Sequence, residues 1–266
     1  MYIFLFLIGI TFGSFFTLAV YRIPLGKDIT HERSFCPNCN HKLGFFDLIP
    51  VLSYIFLGGK CRYCNKKIRP RYLLLEVLSG VVFVLFAYSI KINIFEFNIG
   101  KLVYLVFGLL YIAGLFIISG IDKEKIQIQS ELIIYLTVVQ TMYIIYLYTL
   151  GTVDVYRYVI LLSALAILTT ANTIYYKKNL KESYTLSVLG LLCIMDMFSF
   201  ESVTVLTVIV TSFTISIKML INKIQKNRVK YVKNKEKQSV IPFGFYLSVV
   251  NIIILIATNF CVFYNM

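Results

Sequence analysis

The sequence predicts an all-α polytopic membrane protein of about eight transmembrane helices with one small loop domain on the cytoplasmic side. Three observations predict it. Hydrophobic residues make up 59% of the 266-residue chain and charged residues 15%, with a mean hydropathy of +0.80, which leaves too little polar material to clothe a soluble globule. Apolar runs near the roughly 20 residues needed to cross the hydrocarbon recur along the chain. Basic residues gather in alternate loops.

The runs can be drawn in order at Tyr2–Val20, Tyr72–Ile90, Leu102–Ile121, Leu132–Leu150, Val155–Tyr175, Tyr184–Phe198, Val203–Leu220 and Ile241–Tyr264. The sixth is short, at about 15 residues. The first has no basic residue in Met1–Leu7 and no small-residue cleavage site after it, so it reads as a retained anchor. The loop after it carries ten basic residues, from Arg22 to Arg71. The third, fifth and seventh loops add Lys123 and Lys125, then Lys177, Lys178 and Lys181, then the run from Lys223 to Lys237. The opposite set holds only Lys91, Lys101 and Arg157. By the positive-inside rule the odd loops are cytoplasmic and both termini lie outside. The formal charge of +13 therefore reads as topogenic, with the lipid bilayer as partner and no nucleic acid. The basic run Lys223–Gln238 is a solvated segment attracted to anionic lipid. Three parts follow: a first helix over 1–20, a cytoplasmic loop domain over 21–71, and a membrane domain over 72–266.

The loop domain holds "CPNC" (Cys36, Cys39) and "CRYC" (Cys61, Cys64), with 21 residues between Cys39 and Cys61. Two such knuckles offer four thiolates to one tetrahedral Zn²⁺, the ligand set of a structural zinc ribbon. Two disulfides or four free thiols are the alternatives, and a reducing cytoplasm disfavours the first. About fifty residues without a large core need such a staple. His41 is a bystander if the four cysteines complete the site, and Cys193 and Cys261 are apolar fillers inside spans.

In "LFIISGIDKEKI" an aspartate, Asp122, stands where an apolar run ends. It is either a helix-end acid paired with Lys123 or Lys125, or half of a catalytic pair. Amide hydrolysis by carboxylates needs two of them sharing one proton, one activating water and the other protonating the carbonyl oxygen. Asp122 alone cannot do this.

The stretch "GSFFTLAVYRIP", followed by the two knuckles, "DLIPVLSY" from Asp47, "PRY" from Pro70, and Glu76, resembles the amino-terminal part of the bacterial type IV prepilin peptidases, GxGD-type aspartic peptidases of family A24. "SGIDKEKI" and "VIPFGFYLSVV" resemble two further segments of that family. The resemblance implies hydrolysis of the leader peptide of prepilin-like proteins at the cytoplasmic face of the bacterial inner membrane. It also implies N-methylation of the new terminus with S-adenosylmethionine, since the cysteine loop is characteristic of bifunctional members. Asp122 takes the place of the first catalytic aspartate.

The family's second aspartate stands in a Gly-x-Gly-Asp motif eight residues before a glycine. Counting back from Gly190 reaches Glu182, preceded by Asn179, Leu180 and Lys181. Both glycines are gone and the aspartate has become glutamate. Glu182 keeps the carboxylate and adds one methylene. Asp196 is the other acid, but it lies 14 residues further on, about 21 Å along a helix, and reads as interfacial. Where the family often has Ile-Pro, this chain has Ile128-Gln129, which alters a turn and removes no reacting group. The expectation is a prepilin peptidase with Asp122 and Glu182 as the dyad; the alternative is a catalytically impaired paralogue that binds prepilins or assembly proteins, or retains methyl transfer alone. A transporter has little behind it, because the acids cluster at membrane edges and no repeat is evident.

Overall fold

The computed structural model describes residues 1–29, 33–92, 98–152, 155–176, 180–199, 201–228 and 241–264, with the side chains of 175–176, 180–182, 201 and 222–228 excepted. In chain order the helices are α1 (Tyr2–Arg22), α2 (Leu52–Phe56), α3 (Arg71–Ser89), α4 (Ile99–Lys125), α5 (Ser130–Thr149), α6 (Val155–Tyr176), α7 (Leu180–Phe198), α8 (Glu201–Arg228) and α9 (Phe243–Tyr264). Two single 3-10 turns, Ile23–Leu25 and Phe45–Asp47, stand between α1 and α2. Among the described residues there is no strand, only the isolated antiparallel bridges Phe35–Lys42 and Lys60–Lys67.

Seven of these helices are long and apolar enough to cross a membrane: α1, α3, α4, α5, α6, α8 and α9. The remaining expected span, within α7, is the shorter apolar helix Ser183–Phe198. The chain is a multi-pass membrane protein. Two helices run past the apolar runs that announce them. α4 continues to Lys125, and its last-turn Lys123 and Lys125 complement the negative end of the helix dipole. α8 continues to Arg228, through lysines and glutamine that are good helix formers.

The chain divides into two compact units, Met1–Ile117 with Asn259–Met266, and Ile118–Thr258. The first is organised by α1 against α3. A Cβ on Gly9 would come 2.6 Å from the Gly80 Cα, so the backbones touch through paired glycines, as small residues allow when no water drives helices together. The Ser79 hydroxyl donates to the Gly9 carbonyl at 2.7 Å and locks the register. Phe16 stacks on Phe116 at 5.7 Å, and the Tyr104 hydroxyl donates to the Asn259 side-chain oxygen at 3.1 Å.

In the second unit α6 and α7 are joined through Asn172, which receives the Ser183 hydroxyl at 2.5 Å and donates to Ser187 at 3.0 Å. Ser183 and Ser187 are four apart and share one helix face. Val203 of α8 packs against Val250 and Ile254 of α9, beside a hydrogen bond from Asn251 to Thr207. Low-dielectric surroundings leave such polar groups no partner but each other.

Candidate active site and metal centre

The carboxyl group of Asp122 is buried in the last turn of α4. Its Oδ2 accepts the Tyr184 hydroxyl at 3.1 Å and the Phe245 backbone N–H at 2.8 Å. The Gly244 N–H in turn donates to the Tyr184 oxygen at 3.2 Å. These two amides belong to the first turn of α9, where N–H groups have no helical acceptor and the dipole end is positive. A helix N-terminus is thus aimed at a carboxylate. Oδ1 of Asp122 is buried and has no hydrogen-bond partner among the described residues.

The local sequence explains the assembly. The Ile126 N–H closes back on the Asp122 carbonyl at 2.9 Å, and Ile126 sits at φ 55, ending α4 in a left-handed conformation that costs a β-branched residue strain. The chain then turns so that Ile128 lies over Gly244. A Cβ at Gly244 would meet the end of the Ile128 side chain at 2.9 Å and Asp122 Oδ2 at 3.1 Å, so a larger residue there would have to push these side chains aside. Pro242 just before the helix needs no donor there. The Lys123 ammonium lies 4.8 Å from the Phe245 ring centroid, not on the Asp122 carboxylate.

Of the other candidates, Glu182 stands in the first turn of α7, two residues before Tyr184, but its side chain lies outside the described residues, as do Asn179 and the side chains of Leu180 and Lys181. Most of the run Lys223–Gln238 lies outside them too. Gly190 lines a small pocket with Ile133, Leu168, Asn172 and Ser187. Asp196 is occupied elsewhere: Arg157 reaches its Oδ2 at 3.1 Å and its carbonyl at 2.9 Å, and Thr204 donates to Oδ1 at 3.0 Å. It joins α6, α7 and α8.

The four loop cysteines come together, with all four Sγ atoms within 4.8 Å of one another. Cys36 and Cys64 Sγ are 3.9 Å apart, against about 3.8 Å for the edge of a tetrahedron of 2.3 Å Zn–S bonds. All six cysteines are free. The knuckles are built alike. Cys36 N–H donates to His41 and Cys61 N–H to Lys66, while Asn40 and Asn65 turn back onto the first cysteine of each pair. Both asparagines are left-handed, at φ 55 and 56, a conformation asparagine tolerates better than most residues. Burial opposes ionisation of Cys36, yet the Asn38 and Cys39 amides and the thiols of Cys61 and Cys39 bring it down to about 7. The donor set suits Zn²⁺ in charge and shape.

Two groups to which the sequence assigns no role in a site, Asp47 and Arg22, fasten this loop. Asp47, its side chain 6% exposed, pairs with Arg62 at 2.8 Å and receives the Tyr63 hydroxyl and the Gly44 amide, both at 3.1 Å. His41 lies on the Tyr63 ring at 3.6 Å, which accounts for it without a metal bond. Arg22, 1% exposed, donates to the carbonyls of Asp28 at 2.9 Å and Arg33 at 3.2 Å. An arginine at a helix end inside a basic loop is indistinguishable from a topogenic charge in sequence, and Tyr184 from an interfacial aromatic. The glycine of "IPFG" was the one available signal for the close approach of α9.

Residues 7–90 match the family model described as Bacterial Peptidase A24 N-terminal domain. The chain is similar to a prepilin leader peptidase/N-methyltransferase of Klebsiella pneumoniae, 37% identical over 127 residues, which cover 46% of this chain and 52% of that protein. It is similar to one of Myxococcus xanthus (strain DK1622), 42% identical over 81 residues, 30% of this chain and 24% of that protein. A third, of Bacillus subtilis (strain 168), is 40% identical over 79 residues, 30% and 32% respectively. The matches thus span about half or less of the length of these relatives. No solved structure matches the chain.

Proposed function

We propose that this protein is a prepilin leader peptidase, cleaving the leader of type IV prepilin-like proteins at the cytoplasmic membrane face and methylating the new terminus. The observation that carries the proteolytic part is the buried Asp122 carboxyl, one oxygen fixed by Tyr184 and the start of α9, the other buried with no hydrogen-bond partner among the described residues. The likeness of residues 7–90 to the Bacterial Peptidase A24 N-terminal domain, and the names of the relatives, supply the substrate class and the methyl transfer. In this reading residues 21–71 form a cytoplasmic domain in which Cys36, Cys39, Cys61 and Cys64 hold structural Zn²⁺, and 72–266 the peptidase domain. S-adenosylmethionine is the methyl donor.

Asp122 and Glu182 form the acid and base. The second oxygen of Asp122 holds or takes the shared proton while Glu182 activates water, and the fixed oxygen keeps the carboxyl from rotating away. Glu182 is one methylene longer than the usual aspartate, and displacement of about 1 Å costs on the order of a hundredfold in rate.

The test is the intact mass of a prepilin incubated with the purified protein in detergent, with and without S-adenosylmethionine, beside an Asp122→Ala control. Loss of the leader that vanishes in the control is expected, with one methyl gained when the donor is present. An unchanged mass, while an active prepilin peptidase cuts the same substrate in parallel, refutes the proteolytic reading.

A further inference from the structure

Residues Phe45–Gly59, between the knuckles, read "FFDLIPVLSYIFLGG" and carry one charged side chain, Asp47. That charge is neutralised internally by Arg62. The segment is short on core of its own. Phe45 is 80% exposed, Phe46 72%, Ile55 61% and Phe56 84%. Exposed aromatics at this density on a loop mark an interaction surface.

What covers it follows from its height. Glu76, the sixth residue of α3, accepts the Val51 N–H at 2.7 Å and also the Ser14 hydroxyl of α1. Val51 is held at φ 64 and ψ −53, a strained conformation for a β-branched residue that the Glu76 contact helps to fix. The 19 residues of α3 are about 28 Å long, so nearly all of them are needed to cross roughly 30 Å of hydrocarbon. Glu76 then lies about 7 Å inside the level of Arg71, and the Val51 backbone lies with it. That is the depth of an interfacial helix, about 5–10 Å into the boundary of headgroup and acyl chain. Lys42, Lys60, Arg69 and Arg71 flank the segment, as anionic headgroups would require.

We infer that Phe45–Phe56 is a membrane-seated element whose exposed aromatic and aliphatic side chains enter the lipid interface, holding the cysteine knuckles against the bilayer. The inference rests on α1 and α3 spanning the membrane and is independent of the proteolytic reading.

The chain contains no tryptophan, so Phe46→Trp and Phe56→Trp each give a single indole in the full-length protein, excited selectively at wavelengths beyond the absorption of its tyrosines. Each variant, with helical circular dichroism matching the parent, is reconstituted into phosphatidylethanolamine and phosphatidylglycerol vesicles with and without brominated phosphatidylcholine. Both indoles are expected to emit at the blue-shifted wavelength of the interface, to lose most of their emission to lipid brominated near the carbonyl, and to resist aqueous iodide. Quenching by iodide and not by bromolipid overturns the inference, because the segment is then in water. Protection from both quenchers also overturns it, because protein then covers the face. If one substitution prevents folding, the other gives the same reading.

Discussion

At the scale of single residues, Tyr184 and Gly244 decide what Asp122 can do. Tyr184 is both donor to the carboxylate and acceptor from α9, so removing its hydroxyl frees two partners at once. Tyr184→Phe is expected to lower the cleavage rate by roughly 10- to 100-fold, as loss of a positioning contact does, with KM little changed; a prepilin cleavage time course that overlays the parent's would show that the hydroxyl is dispensable. Gly244→Ala places a methyl group against Ile128 and Asp122. Overpacking of this kind costs about 1–3 kcal/mol, so the variant should lose activity and melt earlier, both read from the same preparation. Glu182→Asp shortens the side chain toward the usual aspartate and should raise the rate if Glu182 is the second acid, by up to on the order of a hundredfold. An inert Glu182→Asp variant of an active parent would remove Glu182 from the dyad.

At the scale of elements, the helix pair α1 and α3 brings Gly13 and Ser14 of "GSF" against Glu76. Gly9, Gly13, Ser79 and Gly80 bring the two backbones into contact, and this approach lets Glu76 reach Ser14 and Val51. Gly9→Leu is expected to separate the helices and lower the thermal midpoint in detergent, because its Cβ meets backbone that cannot swing aside. A midpoint equal to that of the parent would mean that the contact contributes no stability. On the other side of the chain, the start of α9 shows how an element end becomes part of a site. Its first-turn amides, which have no acceptor within the helix, donate instead to Asp122 and Tyr184.

At the scale of the whole molecule, the proposed Zn²⁺ staple gives the membrane part and the cysteine loop separate sources of stability. The helices satisfy their backbones internally whatever the loop does, whereas the knuckles have little core, and under the proposed Zn²⁺ binding they depend on the four clustered cysteines. A strong chelator should therefore leave helical circular dichroism nearly unchanged while opening the loop to trypsin at Lys60–Arg71, and Cys36→Ser or Cys61→Ser should do the same without chelator. Loss of helix together with the metal would show instead that the loop supports the membrane part.

The sequence by itself determined the order of the apolar helices, because hydrophobic length is set by bilayer thickness, and it picked out the four cysteines whose Sγ atoms come within 4.8 Å of one another, because two Cys-x-x-Cys turns each place two thiols together. It also singled out Asp122. Only the tertiary structure decided what holds that aspartate, since Tyr184, Gly244 and Phe245 lie 62 to 123 residues away and no local pattern links them. It decided as well that Asp196 belongs to Arg157 and Thr204, that Asp47 ties the segment between the knuckles to Arg62 and Tyr63 of the second one, and that Glu76 reaches Val51. The division has a physical cause: burial of an apolar side chain depends on its own chemistry and period, whereas a buried polar group is defined by the partner that folding brings to it.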